Sequence, residues 1–106
     1  MNDAVLVLTT VPSEEVGLRI AEQAVRERLC ACGNLLPRMH SVYEWKGELK
    51  HEAEHLLVMK TTVDRYPELE AWLRAAHPYE LPEIIAAPIE RGLTDYLDWI
   101  GTQTRS

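Results

Sequence analysis

The chain has 106 residues, of which 46% are apolar and 26% charged, the proportions of one ordinary globular domain spanning residues 1–106. A formal net charge of −6 with scattered basic residues excludes a nucleic-acid partner, because neutralising a phosphate backbone needs clustered Lys and Arg. The longest apolar run, residues 4 to 8, is too short to cross a bilayer. No basic segment leads into a hydrophobic stretch as in a signal peptide, so the expected location is cytoplasmic with no membrane partner.

Ala4-Val5-Leu6-Val7-Leu8-Thr9 is a continuous apolar, β-branched run and predicts a central strand. Pro12-Ser13-Glu14-Glu15 follows as a helix start, with Ser13 as N-cap and two acids favourable to the helix dipole. Val16, Ile20, Ala21, Ala24, Val25 and Leu29 recur at helical spacing, which predicts an amphipathic helix to about Leu29. Residues 34 to 45 read as a strand, alternating clearly over Ser41-Val42-Tyr43-Glu44-Trp45. Lys46-Gly47-Glu48 is a turn signal, and residues 55 to 62 read as the returning strand of a long hairpin.

Residues 64 to 76 place Tyr66, Leu69, Leu73 and Ala76 on one helical face, with Pro67 tolerable in the first turn. Residues 84 to 89 predict a further strand, and Thr94-Asp95 caps a terminal helix holding Tyr96, Leu97 and Ile100. The order β-α-β-β-α-β plus a C-terminal helix is that of an α+β, ferredoxin-like domain with an antiparallel sheet and two helices on one face. A chain this small has a high surface-to-volume ratio, so oligomerisation is a natural supplement to its stability.

The most informative segment is His77-Pro78-Tyr79-Glu80-Leu81-Pro82-Glu83. Each proline fixes its own φ and biases the preceding residue toward extended backbone. The result is a stiff connector carrying an imidazole, a phenol and two carboxylates, the kind of loop on which sites are built.

His51-Glu52-Ala53-Glu54-His55 matches the H-E-x-x-H zinc pattern literally. That pattern works only on a helix. The surrounding hairpin predicts extended backbone, which would separate the two histidine Cα atoms by roughly 13 Å, too far to share an ion bound at about 2 Å. His40, alone in a strand, reads as an exposed or hydrogen-bonded histidine. Cys30 and Cys32 lack the C-x-x-C redox spacing and read as small buried hydrophobes. Trp72 and Trp99 read as packing residues, while Trp45 at the hairpin end suits a subunit boundary, where Trp is enriched. Lys60 either points outward from its strand or faces an acid such as Glu80 or Glu83. Nucleophile-elbow, P-loop and dinucleotide motifs are missing, so the expectation is a protein that is not an enzyme.

Five segments, taken in order, carry a resemblance: Leu29-Cys30-Ala31-Cys32-Gly33-Asn34-Leu35-Leu36-Pro37, Ser41-Val42-Tyr43-Glu44-Trp45-Lys46-Gly47, Lys60-Thr61-Thr62, the connector from His77 to Ile84, and Tyr96-Leu97-Asp98-Trp99. In this ordered set the chain resembles the CutA divalent-cation tolerance family across nearly its whole length. The resemblance implies a tight homotrimer assembled through the long hairpin, and a role in tolerance to copper or other divalent cations. Clefts between the subunits of such a trimer are expected to be lined by Tyr43, Trp45, Lys60 and Tyr79, with His77 at a position that matches a family ligand and Glu80 and Glu83 as the carboxylates that complete a metal site beside it. The implied trimer is similar to that of PII signalling proteins, which leaves a signalling or scaffold trimer binding a metabolite or partner protein as the alternative.

In one respect the chain departs from some bacterial members. Thr9 stands where they carry a first-strand cysteine, and Ala76-His77 where they carry adjacent histidines. A single imidazole with two carboxylates makes a weak, borderline site for Cu²⁺ or Zn²⁺ and a poor one for Cu(I), which prefers softer donors.

Overall fold

Odd and even positions of the first strand face different environments, and that division organises the molecule. The computed structural model describes residues 2–105. Its elements run β1 (Ala4–Val11), α1 (Glu14–Arg26), β2 (Cys32–Leu35), β3 (Met39–Trp45), β4 (Glu48–Thr62), α2 (Tyr66–Ala76), β5 (Ile85–Pro88) and α3 (Thr94–Gln103). Side chains two apart on a strand share a face. Val5, Val7 and Val11 of β1 meet Leu57 and Met59 of β4, Ile20 and Ala24 of α1, and Leu69 and Leu73 of α2 in one core.

The sheet order is β2-β4-β1-β5, with every neighbouring pair antiparallel. With α1 and α2 on one face, this is the ferredoxin-like α+β arrangement. The opposite face carries Leu8 with its register partners Val58 and Ile85, and Thr10 with Leu56. Only one end of that face is roofed, where Ile100 of α3 packs with Ala4 and Ala31.

The far half of β4 leaves the main sheet and pairs with β3 alone, from Met39↔Glu54 to Trp45↔Glu48, as a projecting hairpin arm. Its turn is Lys46-Gly47, with φ of 51° and 81°. Positive φ at both central residues is the type I′ geometry that matches strand twist. The arm makes β4 fifteen residues long, starting seven residues before the stretch that sequence marks as strand. Residues 51 to 55 lie inside it, so H-E-x-x-H is extended and has no helical face on which to gather two histidines.

Two boundaries differ from expectation. The single strand anticipated over residues 34 to 45 is two strands, interrupted at Leu36-Pro37-Arg38. Pro37 has no N–H to donate to the ladder, and the pairing register with β4 shifts by one residue across the break. Helix α1 opens as expected, with the Val16 N–H donating to Ser13 Oγ at 3.1 Å, but it ends at Arg26 rather than near Leu29. The Leu29 N–H reaches back to the Ala24 carbonyl and the Arg28 N–H to Val25. That is a Schellman ending with Arg28, at φ 58°, in the left-handed position that glycine usually takes.

Candidate functional site

His77 ends α2 with φ −75° and ψ 136°, the extended backbone that a residue before proline favours. The turn outward brings its imidazole inward, leaving the residue 7% exposed. Nε2 lies 2.8 Å from the Thr10 carbonyl, and Nδ1 accepts the Tyr79 backbone N–H at 3.1 Å. An N–H donor facing Nδ1 requires a lone pair there, so the ring is the neutral Nε2–H tautomer donating to Thr10. Burial lowers the His77 pKa, opposed by the Thr10 carbonyl and the Glu54 charge.

Both ring nitrogens are therefore committed to fixing the connector against β1. As placed, both His77 ring nitrogens are engaged within the chain, and neither faces an ion. Among the described residues no three His, Cys, Asp or Glu side chains converge as a metal-holding group.

Two residues on, the Tyr79 hydroxyl donates to Glu54 Oε2 at 2.7 Å, and the rings of His77 and Tyr79 lie 4.7 Å apart. Burial, and then the bond to the Glu54 carboxylate, push the Tyr79 phenol well above its ordinary range, so it remains a neutral donor. Glu54 itself is only 5% exposed.

The connector and the hairpin arm enclose a groove of about 670 Å³, within the usual range for small-ligand sites. Tyr43 and Trp45 of β3 line it from the arm, Tyr79, Glu80 and Glu83 from the connector, and Glu54 from β4. At its mouth Lys46 Nζ lies 3.3 Å from Glu80 Oε2 and 5.6 Å from the centre of the Trp45 ring. The lining carries three carboxylates and no lysine or arginine.

Five of the seven residues expected at the site thus border one groove, and His77 supports it from behind. Lys60 lies outside this groove within the single chain. Its Nζ bonds Asn34 Oδ1 at 2.6 Å, far along β4 from the arm, beside Cys32 of β2, whose Sγ is 3.7 Å from the Tyr96 hydroxyl. Cys32 is therefore only half buried, unlike Cys30, whose thiol burial pushes up to about 12. Trp72 packs against the core as expected, whereas Trp99 is 40% exposed.

Sequence reasoning did not single out Glu54 or Thr10. The available signal was period-two spacing: Glu54, Leu56 and Val58 share a face of β4, which places an acid at the margin of an apolar surface.

The family model described as CutA1 divalent ion tolerance protein matches residues 5–103. A divalent-cation tolerance protein CutA from Thermus thermophilus is 48% identical over 99 residues, covering 93% of this chain and 96% of that protein. The human protein CutA is 43% identical over 97 residues, covering 92% of this chain and 54% of the human protein. A crystal structure of CutA1 from Oryza sativa superposes with a TM-score of 0.94 at 39% identity, covering 98% of this chain and 95% of that one. The family model and the Thermus relative are named for tolerance to divalent ions, and the matches extend through the sheet, the hairpin arm and the connector: the chain belongs to the CutA1 divalent ion tolerance family.

Proposed function

We propose that the chain serves divalent-cation tolerance as a cytoplasmic homotrimer that holds cations weakly and reversibly in grooves bordered by neighbouring subunits. The observation that carries the reading is the groove itself, with its three carboxylates and no basic residue in its walls. Carboxylates are hard donors, which suit a partly hydrated divalent ion and suit Cu(I) poorly. Glu80 and Glu83 are the ligands in this reading, water or a second subunit completes the shell, and His77 positions the connector that carries them.

The unroofed sheet face supports the assembly in this reading. Leu8, Val58 and Ile85 form an apolar row on it, and Val42 and Leu49 on the arm are exposed. Apolar surface concentrated in this way marks an interaction site. Calorimetry with Cu²⁺ and Zn²⁺ tests the cation claim. Wild type is expected to show weak saturable binding, lost in Glu80→Gln/Glu83→Gln and retained in His77→Gln. Equal binding by wild type and the double carboxylate variant would remove the groove from the function.

A further inference from the structure

Glu54 is a carboxylate buried to 5% exposure whose recorded partner is a neutral phenol, Tyr79. Among the described residues no lysine, arginine or histidine forms an ion pair with it. A buried carboxylate without a positive partner is costly in a protein that leaves it so, and this one lines the groove rather than the core. The walls are aromatic: Tyr79 bonds Glu54 directly, and Tyr43 and Trp45 follow along the arm toward its turn. Aromatic faces attract cations through the ring quadrupole, Trp most strongly. At the turn end of the arm, Glu80 is paired with Lys46 beside Trp45, and Glu83 also lines the groove.

The molecule already shows which cation chemistry this end accepts. The Lys46 side chain, an ammonium on an aliphatic stem, lies over the Trp45 ring and ion-pairs with Glu80. Both members of that pair are about two-thirds exposed, and exposed pairs of this kind hold weakly. Lys46 thus stands at one end of the groove as a displaceable occupant, while among the described residues no cation pairs with Glu54.

We propose that the groove is a binding site for a linear aliphatic polyammonium. One ammonium of the ligand meets Glu54 beneath Tyr79, its methylene chain lies along Tyr43 and Trp45, and a second ammonium takes the place of Lys46 at Glu80. A metal ion satisfies carboxylates alone; an organic polycation also uses the aromatic walls and the length of the cavity. The inference rests on the same groove as the cation-tolerance reading but requires no metal.

The test is calorimetric titration of spermidine into the full-length protein, freed of metals on a chelating resin. Saturable binding with one site per chain is expected. Glu54→Gln and Trp45→Leu weaken it by about tenfold or more, with thermal melts confirming that each variant is folded. Lys46→Gln strengthens it several-fold by removing the internal competitor. Arg91→Gln makes the same charge change at a residue paired with Glu90 at 3.6 Å, outside the lining of the groove, and leaves affinity unchanged.

Absence of saturable binding overturns the proposal, as does an equal effect of Lys46→Gln and Arg91→Gln, which would mean diffuse charge attraction. A parallel Zn²⁺ titration separates this inference from the proposed function. Zinc binding without spermidine binding overturns the polyammonium site alone. Spermidine binding without zinc binding supports it and removes the metal from the groove.

Discussion

The Tyr79 hydroxyl donates to Glu54 Oε2 at 2.7 Å, and this one bond ties the proline-flanked connector to the hairpin arm. Without it the buried carboxylate loses its donor. Tyr79→Phe is therefore expected to destabilise the protein by about 1–3 kcal/mol, since a buried acceptor left unmade costs more than the bond itself contributes. Urea denaturation of Tyr79→Phe, Glu54→Gln and the double variant checks it. Additive losses would mean the two side chains do not act as a unit.

His77 makes the connector sensitive to pH. Burial lowers its pKa in the folded protein, while the unfolded chain titrates near the ordinary value of about 6.5. Between the two, the unfolded chain binds the additional proton, so stability rises with pH. The contribution is full above about pH 6.5 and declines as the pH falls toward the depressed folded value. Melting curves of wild type and His77→Gln between about pH 8 and pH 5 are expected to show a lower but flatter profile for the variant. Parallel profiles would show that other groups carry the acid sensitivity.

The apolar elements were legible in the sequence because they are half buried. Residues 4 to 9 and 55 to 62 show as strands since one face meets the helices, and Lys46-Gly47 shows as the turn its two positive φ angles require. The arm half of β4 was not legible. Its residues 48 to 53 pair only with β3 and are mostly exposed, so no buried face imposes an alternation. The stiff connector could be read from Pro78 and Pro82. The direction of the His77 ring could not, because it depends on a Thr10 carbonyl 67 residues away. The Lys60 partner within the chain was not legible for a related reason: Asn34 is brought to it by the register of β2 on β4.

Thr9 carries a buried hydroxyl with no hydrogen-bond partner among the described residues. Valine has nearly the same shape, suits a strand, and lacks the desolvated oxygen. Thr9→Val is expected to raise stability by about 1 kcal/mol, read as a higher urea midpoint at unchanged slope. Thr9→Ser, which keeps the hydroxyl and loses the methyl, is expected to lower it. A loss in Thr9→Val would show that the oxygen has a partner in solution.

Arg28 holds the left-handed position at the end of α1 with φ 58°. A side chain there costs about 1–2 kcal/mol relative to the right-handed region, and glycine does not bear that cost. Its carbonyl, which accepts from Arg65 Nε at 3.2 Å, is retained on substitution. Arg28→Gly is accordingly expected to stabilise the protein by up to about 1 kcal/mol, the greater freedom of glycine in the unfolded chain offsetting part of the gain. An unchanged or lowered melting temperature would mean that the arginine side chain contributes contacts worth more than the strain.

Val58 stands beside Leu8 on the sheet face that α1 and α2 leave uncovered, and Ile85, on the other side of Leu8, is exposed. If this row is the assembly surface, a charge placed in it must be desolvated when subunits meet, and an unpaired charge resists that strongly. On the single subunit the same charge remains near water at a position outside the core. Val58→Asp is therefore expected to dissociate the oligomer while leaving the folded chain intact, whereas Val7→Asp, in the helix-facing core, unfolds it. Light scattering combined with circular dichroism separates these results. Wild type is expected at three times the chain mass and Val58→Asp at the chain mass, with the helical signal retained. A wild-type monomer would overturn the trimer, and a trimeric Val58→Asp would move the interface to the arm, where Val42 and Leu49 lie exposed.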